Sequence, residues 1–268
     1  MKQFKKPRQQ KVVWKKYLTF FLIFTSILVG GAVGIKEVKA SLWDGQTNFA
    51  WVEQDKDIKV ILLIPQQKKE VAFAISAEAL AKVGFGFGEY RLGKVFDLGE
   101  LEKKGGKLLA RTAQDLLGIG VTGWQIGGKS NLSHWDRLRI AWFRTWQEKG
   151  RVRKIDWQQS SDDLIHQAVF DEKIAAEGLT VAVLNATDTE GVGNALSRQI
   201  DNLGFEVTLI GNKDNEKQSY FLINERFKNK QALLSLRKWL NINLVKYGDV
   251  DEYRSDIVVV VGEDYTTL

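Results

Sequence analysis

At 268 residues the chain has room for two modest domains. Its net charge of +6 is not spread over the chain: Lys2, Lys5, Lys6, Arg8, Lys11, Lys15 and Lys16 sit in the first 16 residues, which carry no acid. The remaining 32 basic residues (39 less these seven) face 33 acidic ones, so the body is near neutral and argues against nucleic acid as a partner. With no cysteine, disulfides, thiolate chemistry and Cys-built zinc sites are excluded.

The basic tail, residues 1–16, precedes residues 18–35, an uncharged run of eighteen. At 1.5 Å per residue a helix of that length covers about 27 Å, close to the hydrocarbon thickness of a bilayer. Residues 17–35 therefore read as a transmembrane helix. Trp14 and Tyr17 would stand at the inner interface and Trp43 at the outer one. The cations place the N-terminus in the cytoplasm and the bulk of the chain outside the plasma membrane. Val38-Lys39-Ala40 before Ser41 also has the small-residue pattern of a cleavage site, so a removed signal peptide stays open as an alternative.

Residues 36–57 read as a linker. Ile58-Lys-Val-Ile-Leu-Leu-Ile64 reads as a strand stopped by Pro65. Val71, Phe73 and Ile75 alternate into a second strand, making a hairpin. Gly84-Phe-Gly-Phe-Gly88 lacks the strand-to-helix setting of a phosphate loop and reads as a bent loop or edge. A helix is expected over residues 101–117, weakened at Gly105-Gly106 and stopped by Gly118. A short strand over residues 119–124 follows. Ser133 and Asp136 then form reciprocal caps for the next helix. In that helix Trp135, Leu138, Trp142 and Trp146 recur at the core period, which puts Arg137, Arg139 and Arg144 in water. The competing reading is an aromatic and basic surface for an anionic polymer or lipid headgroups. Residues 161–167 open a further helix, and a hinge lies near Gly178. Asp162, Asp163 and His166 share one turn of it without meeting a metal signature; acids at a helix N-terminus suffice to explain them. His134 and His166, the only histidines, lack a recognisable nucleophile beside them.

The most regular stretch is the last. Thr180-Val-Ala-Val-Leu184 reads as a strand, residues 192–203 as an amphipathic helix and Phe205–Leu209 as an alternating strand with one buried face. Residues 219–223 form a strand that should run antiparallel beside it. A second helix covers residues 231–242, and Ile257-Val-Val-Val-Val261 reads as a central strand buried on both faces. The order is βαββαβ. Between the first strand and helix, the turn bearing Asn185, Gly191 and Gly193 presents backbone amides that could hold an anion, or serves only as a turn and cap.

Val181-Ala-Val-Leu-Asn-Ala186, the Gly191/Gly193 turn, Leu203-Gly-Phe-Glu-Val207 and Val261-Gly-Glu-Asp264 together resemble the LytR C-terminal domain, over residues 179–265. Residues 58–157 look like a reduced LytR-CpsA-Psr domain: residues 60–64 and 71–76 resemble its first strand pair, and residues 109–121 its helix and following strand. The resemblance implies a membrane-anchored envelope protein. Complete LytR-CpsA-Psr proteins transfer glycopolymers from a polyprenyl-diphosphate carrier, held by arginines and a magnesium-binding Asp. Their Ser-Ile-Pro-Arg-Asp segment is replaced here by Ala74-Ile-Ser-Ala-Glu78, so no catalytic residue carries over and the bidentate clamp and metal bridge are missing.

The expected architecture is α+β: tail, transmembrane helix, linker, reduced α/β region, helical linker over residues 158–178 and C-terminal module. The expected function is a scaffold or binding role toward cell-wall glycan or another envelope protein, without catalysis, cofactor or metal. The alternative is a divergent transferase in which Arg91, Arg111, Arg137 and Arg139 meet the diphosphate. A third reading, a membrane-tethered regulator, would use the basic tail on cytoplasmic partners or anionic lipid.

Overall fold

The computed structural model describes residues 40–146 and 152–267. The transmembrane expectation for residues 17–35 lies outside them, as does the basic tail. Among the described residues no helix is long and apolar enough to cross a membrane.

The N-terminal module is built on a six-stranded mixed sheet. Its strands are β1 (Phe49–Gln54), β2 (Ile58–Ile64), β3 (Lys69–Ile75), β6 (Gly123–Ile126), β7 (Lys129–Ser130) and β8 (Val152–Asp156), in the order β7-β6-β1-β2-β3-β8. Two shorter strands, β4 (Leu80–Lys82) and β5 (Glu89–Arg91), pair with each other. The segment expected to be a linker holds β1, which pairs with β2 antiparallel and with β6 parallel. Phe49-Ala-Trp-Val52 is buried throughout, and such a run prefers an internal position in a sheet covered on both faces.

Period-two alternation sends the two sides of these strands into two cores. Val52, Val60, Leu62, Val71 and Phe73 face α1 (Leu92–Leu101) and α2 (Gly106–Leu117). Phe49, Trp51, Ile61 and Leu63 face Trp43, Leu132 and Ile140 on the other side. Trp43 is therefore a core residue rather than an interfacial anchor, and its indole Nε1 donates to Thr47 O at 2.7 Å. The glycine pair separates two helices, with α2 starting at Gly106 and ending in the left-handed Gly118. The helix α1 that precedes it extends further back than the apolar period suggests.

The caps of α3 (His134–Trp146) form as expected: Ser133 Oγ accepts from Asp136 N at 3.1 Å, and Ser133 N donates to Asp136 Oδ2 at 2.8 Å. Its facing does not. Asp136 and Ile140 are buried, whereas Leu138, Trp142 and Trp146 are exposed. Polar anchors turn the helix this way. Arg139 reaches inward to Ser41 and to the Trp43 carbonyl, and Arg144 grips Glu70 with two hydrogen bonds of 2.8 and 3.0 Å. Charge-assisted contacts of this kind hold the helix in this orientation.

Helices α4 (Asp162–Val169) and α5 (Glu172–Ala175) connect the modules. Ser161 caps α4 through Leu164 N at 3.2 Å. Asp162 pairs with Arg198 and His166 meets Asn202, so one acid and the histidine of this turn bind α6 side chains.

The C-terminal module contains β9 (Thr180–Asn185), α6 (Val192–Leu203), β10 (Glu206–Asn212), β11 (Tyr220–Ile223), α7 (Gln231–Leu240), β12 (Val245–Tyr247), β13 (Ile257–Val261) and α8 (Glu263–Thr267). Its sheet order is β10-β9-β13-β11-β12. β13 is fully buried between parallel β9 and antiparallel β11, as its unalternating valines require. Two expectations fail. β10 pairs only with β9, in parallel, and not with β11. It is also an edge strand, largely exposed at Leu209 and Ile210. The crossover through α6 returns the chain parallel to β9, and β13 occupies the position that β10 would need to reach β11. Leu196, Ile200, Leu203, Leu233, Leu236 and Leu240 place both helices on one face of the sheet, in the same continuous core as α2. Val250 and Tyr253 cover the other face.

Candidate functional site

The two modules are joined around one pair of elements, α2 and the last turn of the chain. Arg111 lies with its guanidinium 4.2 Å from the Tyr265 ring centre and donates to the Tyr265 carbonyl at 3.1 Å. Gln114 Nε2 donates to the Tyr265 hydroxyl at 3.1 Å. Further along, Asn202 Nδ2 donates to Gly118 O at 2.8 Å, and a Cβ on Gly120 would stand 2.2 Å from Trp239 O. Backbone approaches this close admit only glycine.

Burial pushes the Asp115 carboxyl above the usual range, against the opposing pull of Arg111, whose Nε donates to it at 3.1 Å. Burial also raises the Tyr265 phenol, with Arg111 opposing it. The joint thus holds its charge in a low-dielectric setting, where a hydrogen-bonded partner is needed.

Beside this joint opens a cleft with a volume of about 750 Å³. The N-terminal module supplies Phe85, Lys107, Arg111, Gln114, Thr122 and Asn131. The C-terminal module supplies Gln218, Ser219, Asn241, Asn243, Asp264 and Tyr265. Leu42, next to the N-terminal limit of the described residues, also lines it. Phe85 is held in a left-handed conformation, φ 63°, and Arg111 lies 5.5 Å from its ring centre. Asp264 is already engaged: its Oδ1 accepts from Ser219 N at 2.8 Å and Oγ at 2.6 Å. The preceding Gly262 is required, because a Cβ there would come within 2.7 Å of the backbone at Glu216 and Gln218. The Val261-Gly-Glu-Asp264 pattern is therefore a docking device that brings the chain's last helix against the 216–219 loop and one wall of the cleft. Arg111, Gln114, Asn131 and Ser219 are likewise bonded within the protein, so what remains for a ligand is the amides of Gln218, Asn241 and Asn243, the Thr122 hydroxyl, the Lys107 ammonium and the Phe85 ring. Among the described residues no group of three or more His, Asp or Glu stands close enough to hold a metal ion.

Of the residues singled out from sequence, only Arg111 lines this cleft. Arg91 is exposed on β5 and pairs with Glu78 at 3.0 Å. Arg137 is exposed on α3, and Arg139 is engaged with Ser41 and Trp43. The four arginines do not gather round one cavity, so they do not assemble a diphosphate clamp. The Ala74–Glu78 segment closes instead against α1, where Gly93 N donates to Ala77 O at 2.8 Å.

In the turn after β9, Asn185 folds on itself. Its Oδ1 accepts from Thr187 Oγ1 at 2.8 Å and its Nδ2 donates to Thr189 O at 3.0 Å. Gly191 is left-handed at φ 79° as the N-cap of α6. Gly193 packs against β10, where a Cβ would lie 3.2 Å from Ile210 Cγ2. These three residues build the turn and stand apart from the cleft. Lys107, Asn241 and Asn243, which do line it, were not legible as site residues: more than 130 positions separate Lys107 from the two asparagines. Asn241 alone carries a local signal, its left-handed φ of 55° as the C-cap of α7.

Residues 178–265 match the family described as LytR cell envelope-related transcriptional attenuator. No curated protein sequence matches the chain. Among solved structures, a transcriptional regulator from Enterococcus faecalis aligns at 16% identity and a TM-score of 0.25, covering 30% of this chain and 30% of that one. TagV of B. subtilis aligns at 10% identity and a TM-score of 0.26, over 31% of this chain and 37% of that one. The LytR-CPS2A-psr family protein YwtF (TagT), solved with octaprenyl pyrophosphate lipid, aligns at 12% identity and a TM-score of 0.26, over 72% of this chain and 89% of that one. The chain thus spans about a third of the length of the first two. TM-scores this low do not extend an assignment beyond the C-terminal module. That module, with its Leu-Asn turn, its Gly204-Phe205 stop and its Gly262-to-Asp264 docking turn, is a LytR C-terminal domain.

Proposed function

We propose that the chain is a membrane-tethered, non-catalytic binding protein of the cell envelope, whose cleft takes a stretch of cell-wall glycan. The cleft carries this reading. Amides from Gln218, Asn241 and Asn243 border a cavity large enough for a few sugar units. Such groups match hydroxyls in both donor and acceptor sense, and convergent polar groups in a preformed cleft are the usual setting of a ligand site. Lys107, at the cleft wall, favours a glycan bearing acidic substituents. The C-terminal domain's envelope-related family, the basic tail and the uncharged run over residues 18–35 support an extracytoplasmic placement on the plasma membrane.

The test is binding of the full chain, in detergent micelles, to solubilised wall polymer. Lys107→Ala and Asn243→Ala remove exposed cleft groups that carry no fold-holding side-chain bond among the described contacts. Together they should weaken binding by about tenfold, equal to about 1.4 kcal/mol. Unchanged affinity in the double variant would exclude the cleft, and absence of binding by the parent chain would exclude the glycan.

A further inference from the structure

The outward face of α3 is built against the ordinary rule for a helix on a soluble domain. Leu138, Trp142 and Trp146 follow each other at intervals of four, on one face, and their exposures are 55%, 66% and 68%. The two indoles lie 5.6 Å apart between ring centres. Meanwhile the helix spends a buried carboxylate, Asp136, and two inward arginines, Arg139 and Arg144, on its other side. A contiguous aromatic patch left in the open marks a surface with an occupant.

The position of the tether says which occupant. Asp136 and Arg139 bind residues 41–43: Asp136 accepts from Ser41 Oγ at 2.6 Å and from Trp43 N at 2.9 Å, and Arg139 donates to Ser41 Oγ at 2.7 Å. The uncharged run ends at Ile35, six residues before Ser41, a separation of at most about 20 Å even when fully extended. From Arg139, Trp142 and Trp146 lie about 4.5 and about 10.5 Å along the helix axis. A chain that leaves the bilayer at Ile35 is thus fastened to the very helix that exposes the indoles. We propose that the Leu138, Trp142 and Trp146 face rests in the headgroup region of the bilayer that holds residues 18–35, fixing the tilt of the outer modules. Indole is suited to that layer, having an apolar body and an N–H that water or a headgroup can satisfy. This inference rests on the membrane-tethered reading above.

Because the chain has no cysteine, single spin labels can be placed without background. Trp142→Cys, Trp146→Cys, Ile27→Cys in the uncharged run and Glu190→Cys in the exposed β9–α6 turn would each be labelled in the full chain. The chains would be reconstituted into vesicles of phosphatidylethanolamine and phosphatidylglycerol. Relaxation by oxygen, which partitions into lipid, is compared with relaxation by a water-soluble nickel chelate. Labels at 142 and 146 should favour oxygen several-fold over the label at 190. If the label at 27 reports lipid while 142 and 146 match 190, the membrane face is wrong and the tether stands. Labels at 142 and 146 shielded from both reagents would indicate a protein contact and also overturn the proposal. If the label at 27 does not report lipid, the tethered reading fails and takes this inference with it.

Discussion

Asp136 and Ser41 are joined by a 2.6 Å hydrogen bond across 95 positions of sequence. The same carboxylate accepts from Leu42 N, Trp43 N, Ser133 N and Ser133 Oγ. One side chain thus caps α3 and fastens the first described segment to it. Asp136→Ala should destabilise the protein on the order of 3 kcal/mol, since it strands several donors that a charged acceptor satisfied. Urea unfolding of the two proteins side by side measures this.

The same residue sets an acid sensitivity. Burial pushes the Asp136 carboxyl up, but the bonds from Ser41, Trp43 and Ser133 outweigh it and hold the group below its ordinary range. A carboxyl depressed in the folded state stabilises fully above its unfolded pKa of about 3.9 and loses that contribution as pH falls through the folded value. Asp136→Asn lacks the titration. Its deficit relative to the parent should be constant near neutrality and shrink below about pH 4, as read from unfolding midpoints at stepped pH.

Arg111 and Asp115 are coupled at the joint between the modules. Arg111→Ala leaves Asp115 buried without its partner and removes the contacts to Tyr265, a loss on the order of 3 kcal/mol. Adding Asp115→Asn should recover part of it, because a neutral amide is cheaper to bury. The double-mutant cycle should return a coupling of about 1–2 kcal/mol; strict additivity would show that the pair contributes nothing together.

Gly120→Ala tests the closeness of the joint. The new Cβ would meet Trp239 O at 2.2 Å, and forcing the two backbones apart should cost about 1–3 kcal/mol. Faster amide exchange should follow in both α2 and α7. Gly127→Ala makes a useful contrast: it has open space within 4 Å but a φ of 54°, so its cost should be local, about 1 kcal/mol, without effect on α7.

Local chemistry was well read from the sequence where one residue answers to its near neighbours. The Ser133–Asp136 cap, the glycine stop at Gly118 and the doubly buried β13 all depend on positions a few residues apart. The facing of α3 is the instructive failure. A Trp period of three or four says that one face is apolar, but not that this face points inward. Arg144 is drawn in by Glu70, 74 positions away, and Arg139 and Asp136 by residues 41–43, so the orientation was decided by partners that periodicity does not register. The linker expectation failed for a similar reason. Residues 49–54 are a strand because β2 and β6 are there to receive their hydrogen bonds; β2 follows closely, but β6, which makes β1 internal to the sheet, lies about 70 positions further along.

For the C-terminal module, β9, α6, β10, β11, α7 and β13 and their order follow from the sequence alone, because backbone preference and burial period act over a few residues, whereas the short edge strand β12 and the final helix α8 were not expected. The order of strands in its sheet does not. β13, the last strand, enters between β9 and β11 and keeps β10 at the edge, and only the closed tertiary structure decides that competition for hydrogen-bonding partners. The cleft is likewise tertiary: Lys107 and Asn243 line the same cavity because a continuous apolar core holds α2 and α7 together. Their proximity comes from packing between modules, to which neither local propensity nor hydrophobic period is sensitive.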